Sequence, residues 1–570
     1  MEKMAHSILI KTSRSSWVNN IKYQISNIKY KITNKNYLIF LILLLAVFLR
    51  LYRIQDYMTF LGDEGRDALV VYNILHGHLT LLGPTASVGG FFLGPIYYYF
   101  MTPFLWVFNY NPVGPAVMVA LFGIATVWLI YKVGSEFLGN GIGFIAAFLY
   151  SISPLIIAYS RSSWNPNLMP FFSLPALYIL YKAVNTNKIK LFIYCGILLG
   201  ISMQLHYLAI FLGVIVAAYI LLTRILLREG VSLQKTILRI LKDYFYILIG
   251  FFIGWLPFLA FEIRHGFPNI RSILSFIFNS GDTGGNDHFL STIYDVFFRL
   301  FARLITNFPP PEQVSAGMHK NITLWYYGTL LLAVASVLVF IGQLVKSTIL
   351  RHPEFISGSH GIPKEMPKQV RHDRERFQKI SLLVLWLVVG IGLFGFYKKP
   401  IYDYYFGFVF PLPFLLVGML ISSLYNSRVG KIFSIIIFVI LAWINFKDAP
   451  FRYLPNRQLA QVEEISKFVI NKTENKPFNF ALIASGNSDH AYRYFFTIWG
   501  KPPLAIENTQ IDPKRHTVTE QLLVICEKNP CSPLGYSLWE VAGFGRGEIV
   551  GEWNVSVVKA YKLEHYNRVE

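Results

Sequence analysis

The stretch Phe60-Leu61-Gly62-Asp63-Glu64-Gly65-Arg66-Asp67 places three acids and one arginine within five residues. A carboxylate there can take a proton from a hydroxyl, and a guanidinium offers a planar fork of donors to phosphate or carboxylate oxygens. The bland reading is a solvated loop. Its context argues against that: only 15% of the chain is charged, where soluble proteins carry about 25%. The stretch also follows a long apolar run and precedes the aromatic run Phe91 to Phe108. That arrangement suits a site working on a lipid-linked molecule.

The elements that must position these residues are mostly membrane helices. Of the 570 residues, 54% are hydrophobic and 16% aromatic, and the mean hydropathy is +0.44. These values exclude an ordinary soluble enzyme. The net charge of +20 lies in short segments between apolar runs and not on one soluble face. Such a distribution sets membrane orientation and gives no reason to expect a nucleic-acid partner. Three cysteines exclude a disulfide scaffold and a Cys-based zinc module.

About eleven runs reach the apolar length a membrane span requires. They begin near Tyr37, Val113, Gly141, Leu168, Leu191, Leu208, Tyr244, Leu324, Ile380, Tyr405 and Ile432. The fold class predicted is an all-α polytopic membrane protein with interfacial helices and a small C-terminal α/β domain outside the cytoplasm. Residues 1–36 read as a basic cytoplasmic tail, 37–447 as the transmembrane domain and 448–570 as the soluble domain. Within the transmembrane domain, 54–112 and 263–322 are expected as outer loops and 347–379 as a cytoplasmic linker. The basic loops set this orientation: the N-terminus, Arg224 to Lys242 and the linker all fall inside only if Phe91 to Phe108 does not span. With Pro95 and Pro103 inside it, that run is expected as a helix in the outer interface. In the C-terminal domain, Phe478 to Ala484, Leu522 to Cys526 and Val555 to Tyr561 read as strands. Cys526 and Cys531 read either as a disulfide or as two reduced neighbours, and Cys195 as packing.

Here a family resemblance becomes specific. Asp63-Glu64-Gly65-Arg66 resembles the Asp-Glu-x-Arg signature in the first outer loop of GT-C glycosyltransferases, in the branch of protein O-mannosyltransferases and the lipid A aminoarabinose transferase. Ser153-Pro154 through Ser160-Arg161 to Asn165-Pro166-Asn167 resembles a second segment of that branch. The resemblance implies a GT-C fold and inverting transfer of a sugar from a polyprenyl-phosphate donor to a hydroxyl on an acceptor lipid, glycan or protein. It implies Asp63 as catalytic base, with Glu64 as alternative or positioning group. Arg66 and Arg161 are implied as donor-phosphate ligands, Arg161 reading also as a snorkelling anchor. The sequence departs from the family twice. Leu93-Gly94-Pro95-Ile96 lacks the Lys or His that relatives place there, for which Lys398 and Lys399 are candidate replacements. Asn165 and Asn167 stand where relatives have an acid, and an amide can orient a sugar hydroxyl but cannot act as a base.

Further substrate-binding candidates are polar residues at the ends of spans: Asn165, His206 and Tyr207, with Gln204 beside them, and Glu262 and His265. Glu262 with His265 supplies two ligands toward a divalent cation, short of a metal site. No cofactor is assigned, and a divalent cation stays open. Asp282 to Asp287 resembles a calcium loop only loosely. The rival from another class is a transporter or flippase of lipid-linked sugars, which would call for related halves and midplane polar residues. A second rival is a scaffold in which Asp63 is dispensable.

Overall fold

A computed structural model describes residues 37–228, 231–279, 281–284, 287–310, 313–314, 319–349 and 368–566. The basic tail and residues 350–367 of the linker lie outside the described residues. Helices Val113–Phe137, Ala209–Leu226, Lys320–Val345, Asp373–Phe396 and Arg428–Lys447 are long and apolar enough to cross a membrane. Tyr37–Leu51, Asn140–Ile152 and Ile189–Leu205 are shorter apolar helices. On Arg428–Lys447, Ile432, Phe433, Ile436, Val439, Ile440 and Trp443 are exposed. Such a face suits lipid, where a helix satisfies its own backbone groups. The chain is a multi-pass membrane protein.

Helix packing relies on close backbone approach. A Cβ on Gly196 would meet the Ile247 carbonyl oxygen at 2.1 Å, and one on Gly250 the Ile193 carbonyl oxygen at 2.0 Å. Small residues at such crossings replace the hydrophobic drive that lipid removes. Two expected runs differ in shape. The seventh begins at Leu233, not Tyr244, so much of the basic loop is helical, and it bends by 81° between Gly254 and Leu256. The tenth opens as the 3-10 segment Asp403–Val409 and turns by 63° into Pro411–Leu424. Pro411, lacking an N–H and with φ fixed, starts a new helix more readily than it continues one.

The aromatic run contains the helix Ile96–Val107, whose 12 residues extend about 18 Å at 1.5 Å per residue. That is too short for the roughly 30 Å hydrocarbon core. The expected acidic loop holds a helix of its own, Gly62–Leu75. Glu64 accepts from the Leu61 amide at its start, and acids in the first turn favour the positive end of a helix.

The C-terminal domain carries one four-stranded sheet in the order β1-β2-β4-β3. Strands β1 (Asn479–Ile483) and β2 (Gln521–Cys526) run parallel and are buried along their whole length, the pattern of strands covered on both faces. Val555 to Tyr561 is not one strand: β3 (Gly547–Val555) and β4 (Val558–His565) meet there in a hairpin, with Ser556 at φ 51°. Cys526 and Cys531 form a disulfide, and Cys195 is buried and free.

Candidate active site

The helix Gly62–Leu75 separates its charged residues by role. Glu64 is 8% exposed. Its carboxylate accepts from Thr59 Oγ1 at 2.5 Å, Ser162 Oγ at 3.0 Å and the Leu61 amide at 3.1 Å. Those bonds tie the helix start to the turn after Tyr159. Asp63, one residue earlier, points the other way with its side chain 52% exposed. Arg66 lies one turn on and bridges two acids: Nη1 reaches Asp63 Oδ1 at 2.8 Å, and Nη2 and Nε reach Asp67 Oδ1 at 2.8 and 3.0 Å. Asp67 is fully buried. Burial pushes its pKa up to about 7, against the opposing pull of Arg66. Burial also works against the Arg66 charge, but Asp67 and Asp63 outweigh it and raise the guanidinium above its ordinary value.

Asp63 and Arg66 line a cavity of about 170 Å³. Its walls come from four segments distant in sequence: Pro84 to Ser87 with Leu93, Trp164 to Pro166, His206 with Tyr207, and Tyr404. Asn165 is fixed there by donation of Nδ2 to the Leu205 carbonyl at 2.6 Å. His206 accepts from the Leu208 amide at Nδ1, 3.3 Å, so a neutral ring carries its proton on Nε2. Tyr207 and Tyr397 share a hydroxyl hydrogen bond of 3.0 Å. Behind Tyr207 lies a second cavity of about 220 Å³, lined almost wholly by apolar side chains including Phe91, Met203, Phe211, Val214, Phe276 and Phe396. Tyr207 belongs to both walls, so a charged chamber and an oily one stand side by side.

Overlay on solved structures gives the architecture. ArnT from Cupriavidus metallidurans bound to undecaprenyl phosphate matches over 92% of this chain and 97% of its own, with a TM-score of 0.56 at 11% identity. Its apo state matches over the same shares with a TM-score of 0.54 at 10% identity. This is a GT-C fold. Residues 93–251 also match the family described as dolichyl-phosphate-mannose-protein mannosyltransferase. "Putative mannosyltransferase YycA" of Bacillus subtilis (strain 168) is 26% identical over 161 residues, 28% of this chain and 23% of that protein. The chain thus aligns with less than a quarter of that relative's length. The family match holds Asn165, His206 and Tyr207 but begins after the acidic helix.

Not every candidate gathers at the cavity. Asp63, Arg66, Asn165, His206 and Tyr207 line it; Glu64, Arg161, Glu262 and His265 do not. Arg161 is 1% exposed, donates to the Leu49 and Tyr52 carbonyls at 3.2 and 2.8 Å, and lies over the Tyr57 ring at 5.2 Å. It joins the end of the first helix to the turn before Trp164. Glu262 is consumed in capping the helix Pro268–Phe278, accepting from the Asn269 and Ile270 amides and Asn269 Nδ2. His265 is exposed and bonds the Phe261 carbonyl. Gln204 pins the aromatic helix, accepting from the Ile96 amide and donating to the Gly254 carbonyl. Lys399 pairs with Asp282 at 3.0 Å, and residues 285 and 286 of that loop lie outside the described residues. Among the described residues, no three His, Cys, Asp or Glu converge as metal ligands.

Two groups escaped sequence reasoning. One is Asp67, whose burial behind Arg66 no spacing reveals. The other is Asp403, gripped by Arg299 Nε and Nη2 at 2.9 and 2.6 Å and by Arg303 Nε at 2.8 Å. This network holds the segment that delivers Tyr404 to the cavity. Its only sequence signal is two arginines four residues apart beside a distant, otherwise unremarked Asp.

Proposed function

We propose that the chain is an inverting glycosyltransferase that moves a sugar from a polyprenyl-phosphate donor to an acceptor hydroxyl on lipid, glycan or protein, at the outer face of the cytoplasmic membrane. The carrying observation is the adjacency of the Asp63–Arg66 chamber to the apolar cavity across Tyr207. An isoprenoid chain gains by apolar contact in the second while its phosphate and sugar occupy the first. The match to the mannosyltransferase family over 93–251 supports the same substrate class.

The chemistry assigns each charge. The acceptor oxygen attacks the anomeric carbon, its proton passes to Asp63, and the bond from that carbon to the phosphate oxygen breaks with its electron pair on phosphate. Phosphate leaves without a general acid, so one base suffices, and attack from the opposite face inverts the centre. Arg66, backed by buried Asp67, stabilises the departing charge. Donor phosphate facing Arg66 draws the guanidinium away from Asp63 and frees the carboxylate. Asn165 and His206 offer neutral hydrogen-bonding groups to sugar hydroxyls.

The test is release of polyprenyl phosphate from synthetic polyprenyl-phosphate mannose, by purified full-length protein supplied with membrane extract as acceptor. The parent should release it, and Val214→Trp, which fills the apolar cavity, should raise the donor KM about tenfold or more. Absence of release from mannose and several other hexose donors would overturn the reading.

A further inference from the structure

The helix that carries Asp63 and Arg66 is held from the far end of the sequence. The Gly62 amide, at its first turn, donates to Asn487 Oδ1 at 2.9 Å across 425 residues of chain. Asn487 Oδ1 also accepts from the Ser488 amide at 3.0 Å, which fixes the side chain to its own turn. On its other side Asn487 Nδ2 donates to both carboxylate oxygens of Glu527, at 3.0 and 3.1 Å. Glu527 accepts in addition from the Tyr492 hydroxyl at 2.9 Å. It is the first residue of the loop closed by the Cys526–Cys531 disulfide.

The contact is tight as well as hydrogen-bonded. A Cβ on Gly62 would lie 2.0 Å from Ser488 Oγ, and one on Gly65 would lie 2.3 Å from the Ala491 amide nitrogen. Spaced three apart, the two glycines form one helical face pressed on the C-terminal domain. Asp63 and Arg66, each one residue further on, are turned toward the cavity. The 487–491 turn and the first turn of the acidic helix are thus in direct backbone contact.

We propose that Asn487 is a positioning residue of this site: it holds the first turn of the acidic helix, and so Asp63 and Arg66, in the pose the cavity requires, with Glu527 orienting its amide. The role rests on the glycosyltransferase reading for its consequence in turnover. The hold itself does not. Transfer geometry is steep, since a misplacement of about 1 Å can cost roughly a hundredfold in rate. The C-terminal domain thereby becomes part of the catalytic apparatus.

The test uses full-length protein with Asn487→Ala, Asn487→Asp and the double variant Asn487→Asp/Glu527→Gln. The double variant rebuilds the link with donor and acceptor exchanged: the introduced carboxylate accepts from the Gly62 amide and from the introduced glutamine side chain. Two measurements are made, hydrogen exchange over residues 60–67 and release of polyprenyl phosphate from synthetic polyprenyl-phosphate mannose. Asn487→Ala should speed exchange at Gly62 and lower kcat about tenfold or more, with donor KM within about threefold. Asn487→Asp alone, which sets two carboxylates together, should fall likewise. The double variant should recover kcat to within about threefold of the parent. Parental kcat and exchange in Asn487→Ala, or a double variant no better than Asn487→Asp, would overturn the proposal. If the parent releases nothing from any donor, the glycosyltransferase reading falls, and exchange at Gly62 with its recovery in the double variant still decides whether Asn487 holds the helix.

Discussion

Two Arg–Asp clusters, one on the acidic helix and one on the segment before Tyr404, are built in opposite ways. In the Asp403 cluster both carboxylate oxygens are taken, by Arg299 and Arg303, and the three side chains are between 8% and 15% exposed. In the acidic helix, Asp63 spends one oxygen on Arg66 and keeps half its side chain open to a cavity. The first cluster spends its carboxylate on its own arginines and ties the Ile401 to Asp403 backbone to the end of the helix Phe289–Ala302. The second has donors and an acceptor left to offer a ligand. Arginine beside aspartate says nothing of function until the remaining hydrogen-bonding capacity is counted.

This contrast can be broken most sharply at Asp403. Asp403→Ala takes from Arg299 and Arg303 the carboxylate they share, leaving them the Asp295 carboxylate and the Ile401 and Phe308 carbonyls, and removing one partner of a buried pair costs up to about 3–5 kcal/mol. A clear drop in melting temperature in detergent should follow, whereas Asp63→Asn should leave melting within about 1 °C of the parent. Equal melting in both would erase the distinction. Next in size, Arg66→Ala removes a charge-assisted contact of about 1.5–3 kcal/mol, so kcat/KM for a polyprenyl-phosphate donor should fall between about tenfold and 150-fold. Arg66→Lys should recover only part, because an ammonium cannot bridge two acids as a fork does.

The smallest expected effect concerns pH. Asp67, with its pKa pushed up to about 7 by burial, braces Arg66 best when ionised. Activity should therefore decline as pH falls through about 7, and Asp67→Asn should lose that limb while staying uniformly less active. The stability consequence has a definite sign. A carboxyl raised from the ordinary 3.8 to about 7 favours the fold fully below 3.8, and that contribution is lost as pH rises to about 7. Melting temperature of the parent should fall across this window more steeply than that of Asp67→Asn.

What was legible beforehand follows from the range of each interaction. Apolar length announces membrane helices, and three acids with an arginine after the first run announce the cavity, because both are local. Sequence spacing could not reveal that Glu64 turns inward to cap its own helix while Asp63 turns outward, since that depends on where Thr59 and Ser162 come to lie. Arg161 read as a phosphate ligand by motif, yet the Leu49 and Tyr52 carbonyls, more than a hundred residues away, take its donors. The grip of Asn487 on Gly62 spans nearly the whole chain and left no local trace at all. Val555 to Tyr561 shows a local miss: two strands share one β-rich run, and the turn between them carries no glycine.

The most direct measurement compares release of polyprenyl phosphate from synthetic polyprenyl-phosphate mannose, with membrane extract as acceptor, by the full-length parent and by Asp63→Asn, at saturating donor. Removing a general base should lower kcat at least about a hundredfold, with donor KM within about threefold because Arg66 and the apolar cavity remain. Parental turnover in Asp63→Asn would contradict the assignment of Asp63 as the base.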